Sequence, residues 1–177
     1  MNDPELTTAG AAMRAEWRTD EEEWTRAAFE RWQHGRTVLD VARASMHRGD
    51  TVGMILPGWR VEGVVTSVGE DILQVTTAAG DGGITVHVDA DVPLALRVVR
   101  RATSGGVRGD RELVTLRALV FALEAAGTVV QVGTAATPDA LTGTLSVGRD
   151  QIAVRDRDGI ETYVPTRWVT WVRMPLG

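Results

Sequence analysis

The sequence predicts a mainly β protein with helices, built from two small five-stranded barrels in tandem, each preceded by an α-helix. Three observations lead to this fold class. Apolar and polar residues alternate, as is typical of strands, through residues 52–99 and again through residues 130–172. A stretch with helical periodicity precedes each of these regions. The two regions also resemble each other in sequence, which indicates a duplication.

The first helical region is predicted at residues 19–47. Before it, residues 1–18 are polar and aperiodic, so we expect a disordered lead-in. Thr19 and Glu22 have the spacing of a capping box, which marks a helix N-terminus. The apolar stripe continues past a glycine at position 35, so this region forms one helix or two.

The other boundaries follow from changes in periodicity and from glycine-rich stretches. The segment RRATSGGVRG is typical of a linker, Asp110 is a good N-cap for the second helix, and Gly127 is a good C-terminal stop. The predicted divisions are a first small barrel at 48–99, a linker at 100–109, a second helix at 110–126 and a second small barrel at 127–177.

The duplication is clearest in the segments GVVTSVGEDILQV and GTLSVGRDQIAV, which align once one residue is gapped. Identical residues recur both inside these segments and around them. The matched pairs are Gly49/Gly127, Gly63/Gly143, Val68/Val147, Gly69/Gly148, Asp71/Asp150, Val75/Val154, Ile84/Ile160, Val88/Val164 and Arg97/Arg173.

Composition excludes several classes of chemistry. The 177 residues carry 19 basic and 24 acidic side chains, for a net charge of -5, and every basic residue is Arg. Without Lys there can be no Schiff-base enzyme, and without Cys no disulfide, thiolate nucleophile or Cys-ligated metal. Arg used to the exclusion of Lys is typical of a GC-rich bacterial coding sequence. We expect no cofactor and no enzymatic activity.

The chain has neither an apolar stretch of the ~20 residues that a bilayer span needs nor a basic, apolar leader. We therefore expect a cytoplasmic protein that does not contact membranes. His87, Asp89 and Asp91 alternate and could hold a divalent metal, which would support an enzyme as a third hypothesis. Pro93 follows closely, however, and the preferred interpretation is a solvated polar edge with no metal.

The repeated motif Gly-x-Val/Leu-x-x-Val-Gly-x-Asp-x-x-x-Val, together with the helix before each set of strands, resembles the Sm-like (LSm/Hfq-type) family twice over. The segment from Tyr163 to Val169 is similar in layout to the closing strand, turn and strand of that family. The resemblance covers about residues 36–99 and 110–174 and implies small, strongly bent barrels. A pair of SH3-like barrels would give nearly the same alternation.

The resemblance also implies RNA binding through basic and stacking residues. The candidates are arginines in and around the linker and the second barrel, with two aromatic residues to stack on bases. They are Arg100, Arg101, Arg108, Arg149, Tyr163 and Trp171. Trp168 and Trp171 are three apart, so on one strand they would face opposite sides and one would leave the core.

The first helix carries Trp17, Trp24 and Trp32. Trp24 and Trp32 are separated by twice the four-residue spacing of a helix face, and the region around them is rich in acidic residues. These indoles either pack on the barrels or form a docking site for a protein partner. The sequence therefore predicts a non-catalytic binding or scaffold module of a cytoplasmic assembly, with a protein partner or self-association. The alternative is an RNA-binding regulator; nothing in the sequence indicates DNA binding.

Overall fold

The computed structural model describes residues 17, 21–31, 33–56, 58–77, 83–88, 91, 93–103, 105–106 and 115–174. The chain divides into two compact units, Met1–Thr37 and Val38–Gly177. In the first unit, residues 17, 21–31 and 33–34 are helical, and the described helical residues 21–31 and 33–34 are called α1. Position 17 belongs to the predicted lead-in, most of which lies outside the described residues, as does the capping residue Thr19.

Among its described residues, the second unit contains two further helices, ten strands and one turn of 3-10 helix. The helices are α2 (Val38–Arg48) and α3 (Leu116–Ala125), and the 3-10 turn is Thr166–Trp168. The strands are β1 (Thr51–Leu56), β2 (Trp59–Val68), β3 (Ile72–Thr77), β4 (Gly83–His87), β5 (Ala95–Arg100), β6 (Val129–Thr134), β7 (Leu141–Val147), β8 (Gln151–Arg155), β9 (Glu161–Pro165) and β10 (Val169–Arg173).

All ten strands form one open antiparallel sheet in the order β5-β1-β2-β3-β4-β10-β6-β7-β8-β9. The order of the first five strands, β5-β1-β2-β3-β4, recurs in the second five as β10-β6-β7-β8-β9. We call these the first and second halves of the sheet. They meet where β4 pairs with β10, and the free edges of the sheet are β5 and β9. The prediction of a mainly β fold with helices is confirmed.

The same turn joins helix to sheet in both halves. Gly49 and Gly127 have φ angles of 77° and 59°, a left-handed conformation that glycine adopts without steric cost. In each case the next amide, that of Asp50 or Thr128, bonds to a carbonyl five residues back at the end of the helix. These glycines therefore stop α2 and α3 and start β1 and β6, as the sequence predicted for Gly127.

The gap in the sequence alignment is a β-bulge. In the first half, Val65 pairs with Val75 and Ser67 with the next residue of β3, so Thr66 is skipped. In the second half the pairing runs on without interruption from Leu145. A bulge inserts one residue into one strand and increases the local bend. The extra residue of the first half is therefore Thr66.

The alignment of the fourth strands is wrong by two residues. Leu73 pairs with Val86 in the first half, and its counterpart Ile152 pairs with Val164 in the second. Val164 is thus equivalent to Val86, and the matches of Ile84 with Ile160 and of Val88 with Val164 do not hold. Hairpin register, and not identity of residue type, sets which positions correspond.

Each half has its own core, and the two cores lie on opposite faces of the sheet. Trp171 lies opposite Val86, and both belong to the first core, whereas the adjacent Val172 belongs to the second. Neighbouring residues of a strand point to opposite faces. Ile72 of β3 likewise packs in the second core. The halves therefore exchange side chains across their junction.

The segment after β5 is packed, in contrast to the predicted linker at 100–109. Arg100 ends β5, and the amide of Ala102 donates to Oδ1 of Asp50 at 3.0 Å. The amide of Gly106 donates to the carbonyl of His47 at 3.2 Å. Asp50 is fully buried and also accepts from Arg48 Nε at 2.8 Å. The described part of this segment is thus held against the turn between α2 and β1.

Trp168 and Trp171 do not share a strand, which corrects the expectation that they face opposite sides of one. Trp168 ends the 3-10 turn and is 38% exposed, whereas Trp171 lies in β10 and is 8% exposed. Within the described part of the chain, no helix combines the length and apolar character needed to cross a bilayer.

Candidate functional site

The junction of β4 and β10 joins the two halves by three facing pairs. Trp171 lies opposite Val86, and the pairing continues to Arg173 opposite Ile84. The indole of Trp171 stacks on that of Trp59 with ring centroids 4.8 Å apart and planes inclined by 21°. Burial of two such large side chains is worth several kcal/mol. The pairing of β4 with β10 and this stack therefore hold the two halves of the sheet together.

Two hydrogen bonds reinforce the junction. Oδ1 of Asp71, in the first half, accepts from the amide of Leu116 at the N-terminus of α3 at 2.8 Å. A carboxylate at this place satisfies a free helix amide and offsets the positive end of the helix dipole. The Nδ1 hydrogen of His87 bonds to the carbonyl of Val169 at 2.9 Å. His87 is buried, so the prediction that it lies on a solvated edge is wrong.

Of the alternating triad that could hold a metal, the structure describes His87 and Asp91. Asp91 is exposed and lies 3.4 Å from Arg167, measured from Oδ2 to Nε. Asp89 lies outside the described residues. No group of three His, Asp or Glu side chains suited to a metal occurs in the described part of the chain.

The free edge at β5 is basic. Arg97, Arg100 and the following Arg101 are exposed, and residues 95–101 contain no acidic side chain, so this stretch carries three positive charges. The Nη2 group of Arg100 donates to Oγ1 of Thr51 at 3.3 Å. Exposed Val98 and Val99 lie between these arginines. An unpaired edge of this kind offers free backbone groups to another strand.

The free edge at β9 is acidic by comparison. Residues 156–161, in and before β9, contain three acidic side chains and one Arg, for a net charge of -2. Glu161 binds Arg155 and Tyr163, accepting from the tyrosine hydroxyl at 2.7 Å. The hydrogen bonds from Tyr163 and Arg155 lower the pKa of Glu161, and the neighbouring carboxylate raises the pKa of Tyr163.

The described candidate RNA-binding residues lie at different places in the sheet. Arg100 and Arg101 lie at the β5 end of the strand order, whereas Arg149 and the 58% exposed Tyr163 lie at the β8–β9 end. Arg108 lies outside the described residues. Trp171 is buried against Trp59, so its ring is not available to a base. The carbonyl of Arg149 accepts from Arg117 at 2.7 Å.

The candidate partner-binding tryptophans lie in the first unit. Trp17 and Trp24 are 73% and 72% exposed, and Trp32 lies outside the described residues. Both described indoles therefore present most of their surface to solvent, as docking requires.

Sequence reasoning missed the junction contacts, although one signal was present. Asp71 and Asp150 were matched as a repeated pair, and their backbone carbonyls do accept equivalent hydrogen bonds, from Val88 and Thr166. Only the strand order shows that the Asp71 side chain caps a helix of the other half. No family model, curated protein or solved structure matches this chain.

Proposed function

We propose that the protein is a non-catalytic scaffold module made of two Sm-like barrels in tandem, and that copies associate edge to edge, β9 of one copy pairing with β5 of the next. The observation that carries this proposal is the β4–β10 junction. There the fourth strand of one half already pairs with the fifth strand of the other. The free edges are again a fifth strand, β5, and a fourth strand, β9.

The junction supplies the register for contact between copies. Strand β5 is equivalent to β10, because β5 pairs with β1 as β10 pairs with β6. By this pairing, Ala95 is equivalent to Trp171, and Arg97 is equivalent to Arg173. Transferring the junction register places Ala95 opposite Val164 of the next copy. Continued along both chains, it brings Arg101 opposite Asp158.

Charge complementarity supports the same pairing. Of the three arginines of residues 95–101, Arg100 and Arg101 would face the turn of residues 156–161, whose net charge is -2, and Arg97 would lie opposite Thr162. Opposite charges on facing strands favour one register and one partner. Asp158 is exposed, and its Oδ2 lies 4.0 Å from Nε of its chain neighbour Arg157, a solvent-exposed pair that a second arginine can join.

A helix cap is repeated in the proposed contact. Asp150 is the counterpart of Asp71 and is exposed, and its side chain has no hydrogen-bond partner in the described part of the chain. Val38, the first residue of α2, is the counterpart of Leu116. The carboxylate of Asp150 would therefore accept from the amide of Val38 in the next copy.

The contact between copies is expected to be weaker than the internal junction. At the internal junction, Trp171 and Ile72 each pack into the core of the other half. The equivalent positions at the contact between copies are Ala95 and the exposed Gln151, which are not large apolar side chains. The association would rest on strand hydrogen bonds, the ion pairs and the helix cap. Head-to-tail contacts of this type close into rings when the rotation permits, and we propose such a ring.

Sedimentation velocity with light scattering, over a micromolar concentration series, tests the assembly. We expect a discrete oligomer that dissociates on dilution. Asp158→Arg turns attraction to Arg101 into repulsion and should weaken association about fivefold, or ~1 kcal/mol. Asp139→Arg is the matched control, because it makes the same change of charge on an exposed loop away from both edges. A monomer throughout the series would refute the proposal.

A further inference from the structure

A groove of about 420 Å³ crosses the surface of the first half over β5, β1 and β2. Its floor is Gly53, which has no side chain to fill the space between Arg97 on one neighbouring strand and Glu62 on the other. Ile55 and Val99 supply apolar walls, and Arg60 lies at the same surface. The volume is within the range of small-molecule sites.

The charged side chains of this groove have no partner among the residues that the structure describes. Arg60, Glu62 and Arg97 make no hydrogen bond or ion pair within the described residues, and all three are exposed. Two arginines against one glutamate leave the groove with a net positive charge. A guanidinium presents parallel N–H groups whose spacing fits the two oxygens of a carboxylate.

The second half shows the same site already filled. The position equivalent to Gly53 is Gln131, and the position equivalent to Arg97 is Arg173. Oε1 of Gln131 accepts from Nε of Arg173 at 3.1 Å and also from Nη2. The arginine is therefore retained in both halves, but in the first half the planar acceptor that it binds is missing.

We propose that the groove over Gly53 binds a carboxylate-bearing ligand, whose carboxylate oxygens take the place on Arg97 that the Gln131 carboxamide takes on Arg173. The apolar part of the ligand lies over Ile55 and Val99. The carboxylate comes either from a small free acid or from an acidic side chain of a peptide. This proposal does not rest on the association of copies, because the groove lies on the face of the sheet and is complete in one chain.

NMR spectroscopy of the arginine Nε–H groups tests the proposal at concentrations where the protein is monomeric or its edge is blocked by Asp158→Arg. The probes are pentanoate, for a free acid, and N-acetyl-glutamate N-methylamide, for a peptide side chain. We expect the Arg97 signal to shift saturably with a millimolar dissociation constant, at constant ionic strength. The tighter of the two probes identifies the source of the carboxylate.

Reciprocal variants distinguish the groove from general anion binding. Gly53→Gln supplies an internal carboxamide and should weaken probe binding at least tenfold. A Cβ at this position would lie 3.2 Å from Val99 Cγ2, with Glu62 Cγ at 3.9 Å and the Arg97 carbonyl oxygen at 4.0 Å, so a small shift of the Val99 side chain accommodates it. Gln131→Gly should transfer the response to Arg173. Arg100→Gln, which removes one charge from β5 outside the groove, should leave binding unchanged. Equal, unsaturating shifts of all arginines, or unaltered binding in Gly53→Gln, would overturn the proposal.

Discussion

Trp59 of β2 and Trp171 of β10 stack with their ring centroids 4.8 Å apart, although they belong to different halves of the sheet. The stack depends on Gly133, because a Cβ there would lie 2.0 Å from Nε1 of Trp171. The indole thus covers bare backbone of its own half on one side and contacts the core of the other half. These contacts join the two halves of the sheet through one side chain.

Replacing Trp171 by Ala should lower the free energy of unfolding by about 3–5 kcal/mol, because the substitution leaves a cavity beside Trp59. Chemical denaturation followed by circular dichroism measures the loss. Trp24→Ala is the matched control and should change stability by less than about 0.5 kcal/mol, because Trp24 is exposed. Equal stabilities of the two variants would show that the stack does not join the halves.

Replacing Gly133 by Val should displace Trp171 and destabilise the protein by more than about 2 kcal/mol through overpacking. The position tolerates no Cβ without movement of the indole. Thermal unfolding monitored by tryptophan fluorescence is the measurement. Gly105→Ala, where a Cβ meets nothing within 4 Å, should leave the melting temperature nearly unchanged.

Asp50 should make stability depend on pH in the acid range. Burial raises the pKa of this carboxyl, but hydrogen bonds from Ala102 and Arg48 outweigh burial, and the net pKa is lowered. Its stabilising effect is therefore complete above the unfolded pKa of about 3.9 and is lost as pH falls through the lower folded pKa.

Asp50→Asn should cost about 1–3 kcal/mol at neutral pH, because the ion pair of the buried carboxylate with the half-exposed Arg48 and part of the hydrogen bonding are lost. The stability gap between the parent and this variant should narrow as pH falls below about 4. Urea denaturation at several pH values measures the gap. Asp40→Asn, on an exposed i,i+3 pair with Arg43, should show no such narrowing; a constant gap for Asp50→Asn would contradict the assignment.

Tyr163 is the one tyrosine of the chain, so ultraviolet titration reports it directly. The hydrogen bond to Glu161 and the charge of that carboxylate raise its pKa above the usual 10.0. Glu161→Gln removes the charge and should return the pKa towards 10.0. Glu62→Gln makes the same change on another strand and should leave the titration unaltered. An ordinary pKa in the parent protein would show that the contact is not maintained in solution.

Periodicity predicts much of this fold, since it depends on local sequence. Alternating residues locate the strands, and Gly127 marks the end of α3 because a left-handed stop is a local property. The duplication follows from matched turns such as Gly69 and Gly148, whose amides make the same hydrogen bond to the third residue onward. The sequence alignment showed that one half has an extra residue in this region. The strand pairing identifies that residue as Thr66.

The junction could not be predicted from the same patterns. Alternation shows which residues share a face, but not which element covers that face. Trp171 lies on the face of β10 opposite to its own core, and it is buried only because β4 and Trp59 cover it. His87 is buried for the same reason, by its contact with Val169. The residues after Arg100 were likewise expected to form a free linker. Local sequence could not show that they pack, because the hydrogen bond from Ala102 to Asp50 joins residues 52 positions apart.

The exchange of side chains between the halves has a consequence for biosynthesis. Trp171 is translated 112 residues after Trp59, so a ribosome that has completed β5 holds a first half without the indole that closes its core. Until β10 emerges from the ribosome, β4 pairs with β3 on one side only. Unpaired strand edges and exposed apolar surfaces of this kind make nascent chains prone to aggregation. The first half therefore completes its core only after β10 has been translated, because β10 supplies both Trp171 and the partner strand of β4.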